Sequence, residues 1–108
     1  MNEIIREILI ITQEEAAEVI QEISKVQRFG FDTTHKSGQT NQEALEQEIG
    51  DFLAMVDLLL ENNIVTEAGL AAASARKIAK LHQWSNIFGE TKEYNAWQEI
   101  LNKRIIHV

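Results

Sequence analysis

The chain has no cysteine and no proline among its 108 residues, and it has only five glycines. Without cysteine, neither disulfides nor thiolate metal sites can form, and this fits a protein of the cytoplasm. Without proline, and with so little glycine, few positions interrupt a helix. We therefore expect a largely helical, cytoplasmic protein.

Basic residues are also scarce, since 10 lysines and arginines face 17 aspartates and glutamates, for a net charge of −7. This balance argues against nucleic-acid polymers as partners, because phosphate backbones need a basic face. It does not argue against a small anionic partner that binds through a metal ion. The amino-terminal segment is apolar only in patches and carries Glu3, Arg6 and Glu7, so it predicts neither a secretory signal nor a membrane span.

The spacing of apolar residues predicts one small all-α domain over residues 1–108. Four helices are expected: the first from about Glu3 to Gln27, the second from a Thr40 cap to about Glu61, the third from a Thr66 cap to about Phe88, and the fourth from Lys92 to about Ile105. Thr40 and Glu43 have the pattern of a capping box. We expect a four-helix-bundle-like fold that a homodimer or homotetramer completes, because so short a chain exposes much apolar helix surface.

Glutamates lie beside and within the apolar face of the first helix. At about 100° per residue, Glu15 and Glu22 fall inside the apolar arc that includes Ile8. Glu18 lies at the edge of this arc, and Glu14 lies further round. On the second helix, Glu48 falls in the middle of the apolar arc.

Asp51 lies towards one side of the second arc, one turn after Glu48. Glu15 and Glu18 are also one turn apart, so antiparallel packing of the two helices would bring four carboxylates together. Such a cluster is costly unless it is protonated, paired with basic groups or bound to a divalent cation. Oxygen ligands without histidine or cysteine suit Mg²⁺ or Mn²⁺. The alternative is that these glutamates form solvated helix edges.

A di-iron carboxylate bundle also places glutamates inward, but it needs Glu-x-x-His pairs. Gln21 stands three residues after Glu18, and Asp51 occupies the position of the second histidine. The sequence therefore excludes a di-iron centre of this kind.

Two motifs resemble a known family. "EEAAE" (Glu14–Glu18) and "EIGD" (Glu48–Asp51) are similar to the E-E-x-x-E and E-x-x-D signature of the MazG-like, all-α nucleoside triphosphate pyrophosphohydrolases. The likeness extends over most of Glu3 to Trp84, including "KVQRFGFD" after the first motif and "KIAKLHQW" on the third helix.

The resemblance implies Mg²⁺-dependent hydrolysis of a (deoxy)nucleoside triphosphate to the monophosphate and pyrophosphate, with Mn²⁺ as a substitute and a role in cleansing the nucleotide pool. It implies that Glu15, Glu18, Glu48 and Asp51 hold the metal. One of Glu14, Glu15 and Glu18 would orient or deprotonate the attacking water.

Lys77 lies in the middle of the apolar face of the third helix on a helical wheel. It is either a lysine whose stem packs while its ammonium reaches water, or a ligand for the pyrophosphate leaving group. Lys80 is a second candidate for phosphate binding. Aligning Lys77 with the lysine of the family's N-x-K-F-x-R-R pattern leaves Ala75 at the asparagine, and Lys80 and Leu81 at the arginines.

Arg28 lies near the loop Phe29–Gln39, where it either contacts a phosphate or interacts with the helix dipole. Phe29 or Phe31 could stack on a base. We expect this loop to close over a bound nucleotide.

Two other functions fit the same sequence. One is a phosphoribosyl-ATP pyrophosphohydrolase-like enzyme, which a substrate panel would separate from a general triphosphate hydrolase. The other is a non-enzymatic helical interaction module whose glutamates are only a solvated face.

Overall fold

A computed structural model describes residues 1–35 and 37–88 of the chain. These residues form three helices, α1 (Glu3–Phe29), α2 (Asn41–Glu61) and α3 (Glu67–Trp84). The described residues contain no β-strand, only an isolated bridge between Thr34 and Thr40. The all-α prediction is therefore confirmed. The fourth predicted helix, from Lys92 to Ile105, lies outside the described residues.

The chain divides into two compact units, Met1–Asn62 and Asn63–Val108. The first unit contains α1, α2 and the loop that joins them. The second contains α3. No helix among the described residues is both long enough and apolar enough to cross a membrane.

Helix α1 has a side-chain cap at its start and a glycine at its end. The Asn2 side chain accepts a hydrogen bond from the Ile5 backbone N–H at 2.8 Å, which satisfies one of the free donors of the first turn. At the other end, Gly30 has φ 86° and donates its N–H to the Val26 carbonyl at 2.8 Å. This left-handed conformation favours glycine. The helix runs to Phe29, two residues beyond the predicted Gln27.

Helix α2 begins with the predicted capping box. The Thr40 hydroxyl accepts from the Glu43 backbone N–H at 3.1 Å, and the Glu43 carboxylate accepts from the Thr40 backbone N–H at 3.1 Å. The helix ends at Glu61, as predicted. Asn63 follows with φ 56°, a conformation that asparagine tolerates better than most residues do.

A single buried side chain organises the loop between α1 and α2. Asn41 is only 2% exposed. Its Nδ2 donates to the Gly30 carbonyl at 2.9 Å, and its Oδ1 pairs with Nε2 of His35. Its backbone N–H donates to the Thr33 carbonyl at 3.0 Å. Since Oδ1 can only accept, the Nε2 atom of His35 must carry the proton of this bond.

Packing of α1 against α2 buries Ile8, Ala44 and Met55. These residues belong to the apolar arcs that the sequence predicts. The same packing draws in polar groups, because Glu22 is buried while Glu48 is half-buried. The α1–α2 pair therefore encloses charge together with its core.

Helix α3 starts at the predicted Thr66 cap, whose hydroxyl accepts from the Gly69 N–H at 3.0 Å. It ends at Trp84, four residues before the predicted Phe88, because Ser85 leaves the helix with an extended backbone. The buried residue of α3 is Ile78.

We predict that Asn41→Ala lowers the free energy of unfolding by about 2 kcal/mol, because the Gly30 carbonyl and the His35 N–H both lose their partner. Urea unfolding followed by circular dichroism measures the change. Gln42→Ala is the matched control, since Gln42 is exposed and only its backbone N–H contacts the loop, at Phe31. Equal midpoints for the two variants would contradict the role of Asn41.

Candidate metal centre

Carboxylates from α1 and α2 meet at one place on the first unit. One oxygen from each of Glu15, Glu48 and Asp51 lies within 4.8 Å of the other two. Glu15 is contributed by α1, whereas Glu48 and Asp51 are contributed by consecutive turns of α2. The structure thus brings together three of the four residues that the sequence predicts as metal ligands.

Glu18, the fourth predicted ligand, lies outside this group of three but contacts it. Its carboxyl group is within hydrogen-bonding reach of Glu48 and of Glu15. Glu14 is exposed on the outer side of α1, and its charge still acts on Glu15. The cluster therefore contains four carboxyl groups, and the carboxyl group of Glu14 lies at its margin.

Burial differs among the members of the cluster. Glu15 and Glu48 are half-buried, and the Oε2 atom of each is shielded from solvent without a hydrogen-bond partner. Asp51 and Glu18 are exposed. A carboxylate oxygen that loses water without gaining a donor is costly. The site therefore has unsatisfied acceptor atoms inside and solvated carboxylates at its opening.

Glu48 is the most perturbed acid of the cluster. The hydrogen bond with Glu18 is the main cause that raises its pKa from the ordinary value of 4.5 to about 7, followed by desolvation and by the charges of Glu18, Asp51 and Glu15. The pKa of Glu15 is also raised, first by desolvation and then by the charges of Glu18 and Asp51. In the metal-free protein at neutral pH, protonation is therefore one way in which the cluster relieves its repulsion.

Basic groups do not relieve this repulsion within the described residues. Residues 1–35 and 37–88 contain one ion pair, in which Lys25 donates to Glu22 at 3.1 Å. Glu22 lies one turn beyond Glu18 on α1, and its second oxygen, Oε2, is another buried atom without a partner. Of the three remedies that the sequence suggests, protonation and a cation therefore remain for the four-carboxylate cluster.

Arg28 and Phe29, two of the predicted substrate-binding residues, lie apart from the cluster on α1. Arg28 is ten residues beyond Glu18, which corresponds to about 15 Å along α1. Its Nε donates to the Ser24 carbonyl at 3.4 Å, and its guanidinium carbon lies 5.2 Å from the centroid of the Phe29 ring. The contact with Ser24 is of the kind expected from the helix-dipole interpretation of Arg28.

Lys77 and Lys80 belong to α3 in the second unit, and both are exposed. The helical wheel placed Lys77 in the middle of the apolar face, whereas the neighbouring Ile78 is the buried residue. Phosphate binding by either lysine stays a prediction.

No protein-family model matches this sequence, and comparisons with curated proteins and with solved structures give no significant match. The residues of the chain and the geometry of the carboxylate cluster are therefore what indicate a function.

The raised pKa of Glu48 predicts how the stability of the metal-free protein depends on pH. Between pH 4.5 and about 7, the folded protein keeps a proton that the unfolded chain releases, so the Glu48 contribution makes the free energy of unfolding fall as pH rises. Glu48→Gln should remove this contribution and flatten the decline. Urea unfolding in EDTA across this interval measures it.

Glu46→Gln is the control for this measurement. Glu46 lies on the exposed face of α2, and its substitution by glutamine also removes one carboxyl group. It should leave the slope of stability against pH close to that of the unmodified protein. If Glu48→Gln and Glu46→Gln gave the same slope, the coupling among the clustered carboxyl groups would be refuted.

Proposed function

We propose that this protein is a Mg²⁺-dependent nucleoside triphosphate pyrophosphohydrolase that converts a (deoxy)nucleoside triphosphate to the monophosphate and pyrophosphate. The observation that carries the proposal is the convergence of Glu15, Glu48 and Asp51 within 4.8 Å, at the positions of the E-E-x-x-E and E-x-x-D motifs. Periodicity alone would not require oxygens from two helices to meet so closely. The motif resemblance supplies the reaction class.

The donor set suits a hard cation. It consists only of carboxylate oxygens, which Mg²⁺ and Mn²⁺ accept readily. Glu15 and Glu48 would hold the ion with their buried Oε2 atoms, which otherwise have no partner. Asp51 would hold it from the exposed side of the cluster, which leaves room for phosphate oxygens and water. When bound, the ion would neutralise charge on the triphosphate and polarise the phosphorus under attack.

We propose that Glu18 orients or deprotonates the attacking water. It lies outside the group of three that share the closest oxygens, is exposed, and contacts both Glu15 and Glu48. A carboxylate in that position can accept a proton from water at the edge of the site. Glu14, further out on α1, is the alternative base.

We further propose that the active form is a homodimer or a homotetramer in the cytoplasm. Large aliphatic side chains remain exposed on α1, with Ile4 at 66% and Ile20 at 67%. Contact with a second copy would bury such surface. Light scattering coupled to size-exclusion chromatography measures the mass in solution.

We expect Glu48→Gln to lower the rate of pyrophosphate release by at least about 100-fold. Loss of a residue that only hydrogen-bonds to a metal ligand already lowers metal affinity or activity about 10- to 100-fold in many sites. The assay follows pyrophosphate release from each common NTP and dNTP in Mg²⁺, and it includes phosphoribosyl-ATP. Glu46→Gln, which removes the same charge from the exposed face of α2, should keep near-normal turnover. Full activity in Glu48→Gln would eliminate the proposed centre.

Thermal unfolding gives a test that needs no substrate. Mg²⁺ should raise the melting temperature in a saturable manner, because a ligand that binds only the folded state stabilises it. NaCl at matched ionic strength should produce little of this effect, and Glu48→Gln should abolish most of it. A response that depended only on ionic strength would instead identify the glutamates as a solvated face.

A further inference from the structure

The carboxyl-terminal end of α1 has a feature that is separate from the carboxylate cluster. A cavity of about 340 Å³ opens where α1 ends and α2 begins, and Lys25, Arg28, Phe29, Thr33, His35 and Asn41 contribute to its wall. This volume is at the lower end of the range of about 300–1,000 Å³ that is usual for small-molecule sites. None of the clustered carboxylates lines it.

The cavity is basic although the chain is acidic. Lys25 and Arg28 contribute two cations to a wall without any carboxylate. One Lys25 proton is used by Glu22, and the other two donors of the ammonium are left for a ligand. Arg28 has no ion-pair partner among residues 1–35 and 37–88. Its Nε donates to the Ser24 carbonyl, and its two terminal nitrogens are left to bind the oxygens of a phosphate group.

The cavity also offers an aromatic surface. Phe29 is 58% exposed, although a phenyl ring would normally be covered. The Arg28 guanidinium lies over one face of the ring, 5.2 Å from its centroid, so a cation and an exposed ring are adjacent. A ligand with a flat ring and an anionic group can use both, since the ring stacks on Phe29 and the anion binds Arg28.

Hydrogen bonds hold the wall beside these groups. Asn41 uses its side-chain amide on Gly30 and His35, and its backbone N–H on Thr33. The Thr33 hydroxyl in turn donates to the Phe29 carbonyl. These bonds fix the turn that follows Phe29 before any ligand arrives, which lowers the entropy cost of binding.

We propose that this cavity binds a small organic phosphate that bears a planar ring, of the nucleoside monophosphate class, without a metal ion. The phosphate contacts Arg28 and Lys25, and the ring packs on Phe29. The proposal does not rest on the hydrolase activity, because none of its residues belongs to the carboxylate cluster. It gives Arg28 and Phe29 a ligand of their own, separate from a triphosphate bound at the metal centre.

Isothermal titration calorimetry on the full chain in EDTA, at low ionic strength, tests the proposal with AMP, adenosine and inorganic phosphate as separate titrants. AMP should bind saturably, and the two fragments should each bind at least about tenfold more weakly. Arg28→Gln and Phe29→Leu should each weaken AMP binding at least about tenfold. Both residues are exposed, and circular dichroism verifies that the variants remain folded.

Arg6→Gln removes an exposed arginine from the opposite end of α1 and should leave AMP binding unchanged. Glu48→Gln should also leave it unchanged, so loss of pyrophosphate release and loss of AMP binding are separate results. The proposal is overturned if AMP does not bind saturably, or if inorganic phosphate binds as tightly as AMP. It is equally overturned if Arg28→Gln binds AMP normally, or if Glu48→Gln abolishes binding.

Discussion

Helices α1 and α2 can bury their apolar faces only by bringing their carboxylates together. Ile8 and Met55 belong to the same interface as Glu15 and Glu48, so core formation and charge repulsion cannot be separated. Repulsion among clustered carboxylates lowers the stability of the metal-free protein. The raised pKa of Glu48 and the buried acceptor atoms follow from this one packing constraint, and both support the proposal of a cation.

Local signals explain why much of the fold could be predicted. The Thr40–Glu43 box and the asparagines after Glu61 act through bonds within a few residues, so their pattern is visible in the sequence. The end of α3 was less visible, because apolar residues continue to Phe88 after the backbone has left the helix at Ser85. Periodicity reports which side chains are apolar, and it does not report where the backbone turns.

The candidate site likewise has features that helix geometry predicts and features that it does not. Glu48 and Asp51 could be placed on one face because helix geometry alone sets that spacing. The exposure of Lys77 agrees with a lysine whose ammonium reaches water, and a role in phosphate binding stays a prediction. The contact between His35 and Asn41 spans a loop, where no repeating geometry relates sequence to position. The sequence therefore does not predict the cavity beside this contact, although it indicates Arg28 and Phe29 as individual candidates.

For the proposed cation, the raised pKa of Glu48 would make the carboxylate cluster a site of exchange between a proton and the metal. A divalent cation that enters at neutral pH must displace this proton, because a metal ligand has to be deprotonated. The apparent affinity for the cation would then rise with pH, and the heat of binding would depend on the ionisation enthalpy of the buffer that takes up the proton. A drop in the surrounding pH would favour release of the proposed cation, because protons would compete for the Glu48 and Glu15 carboxylates.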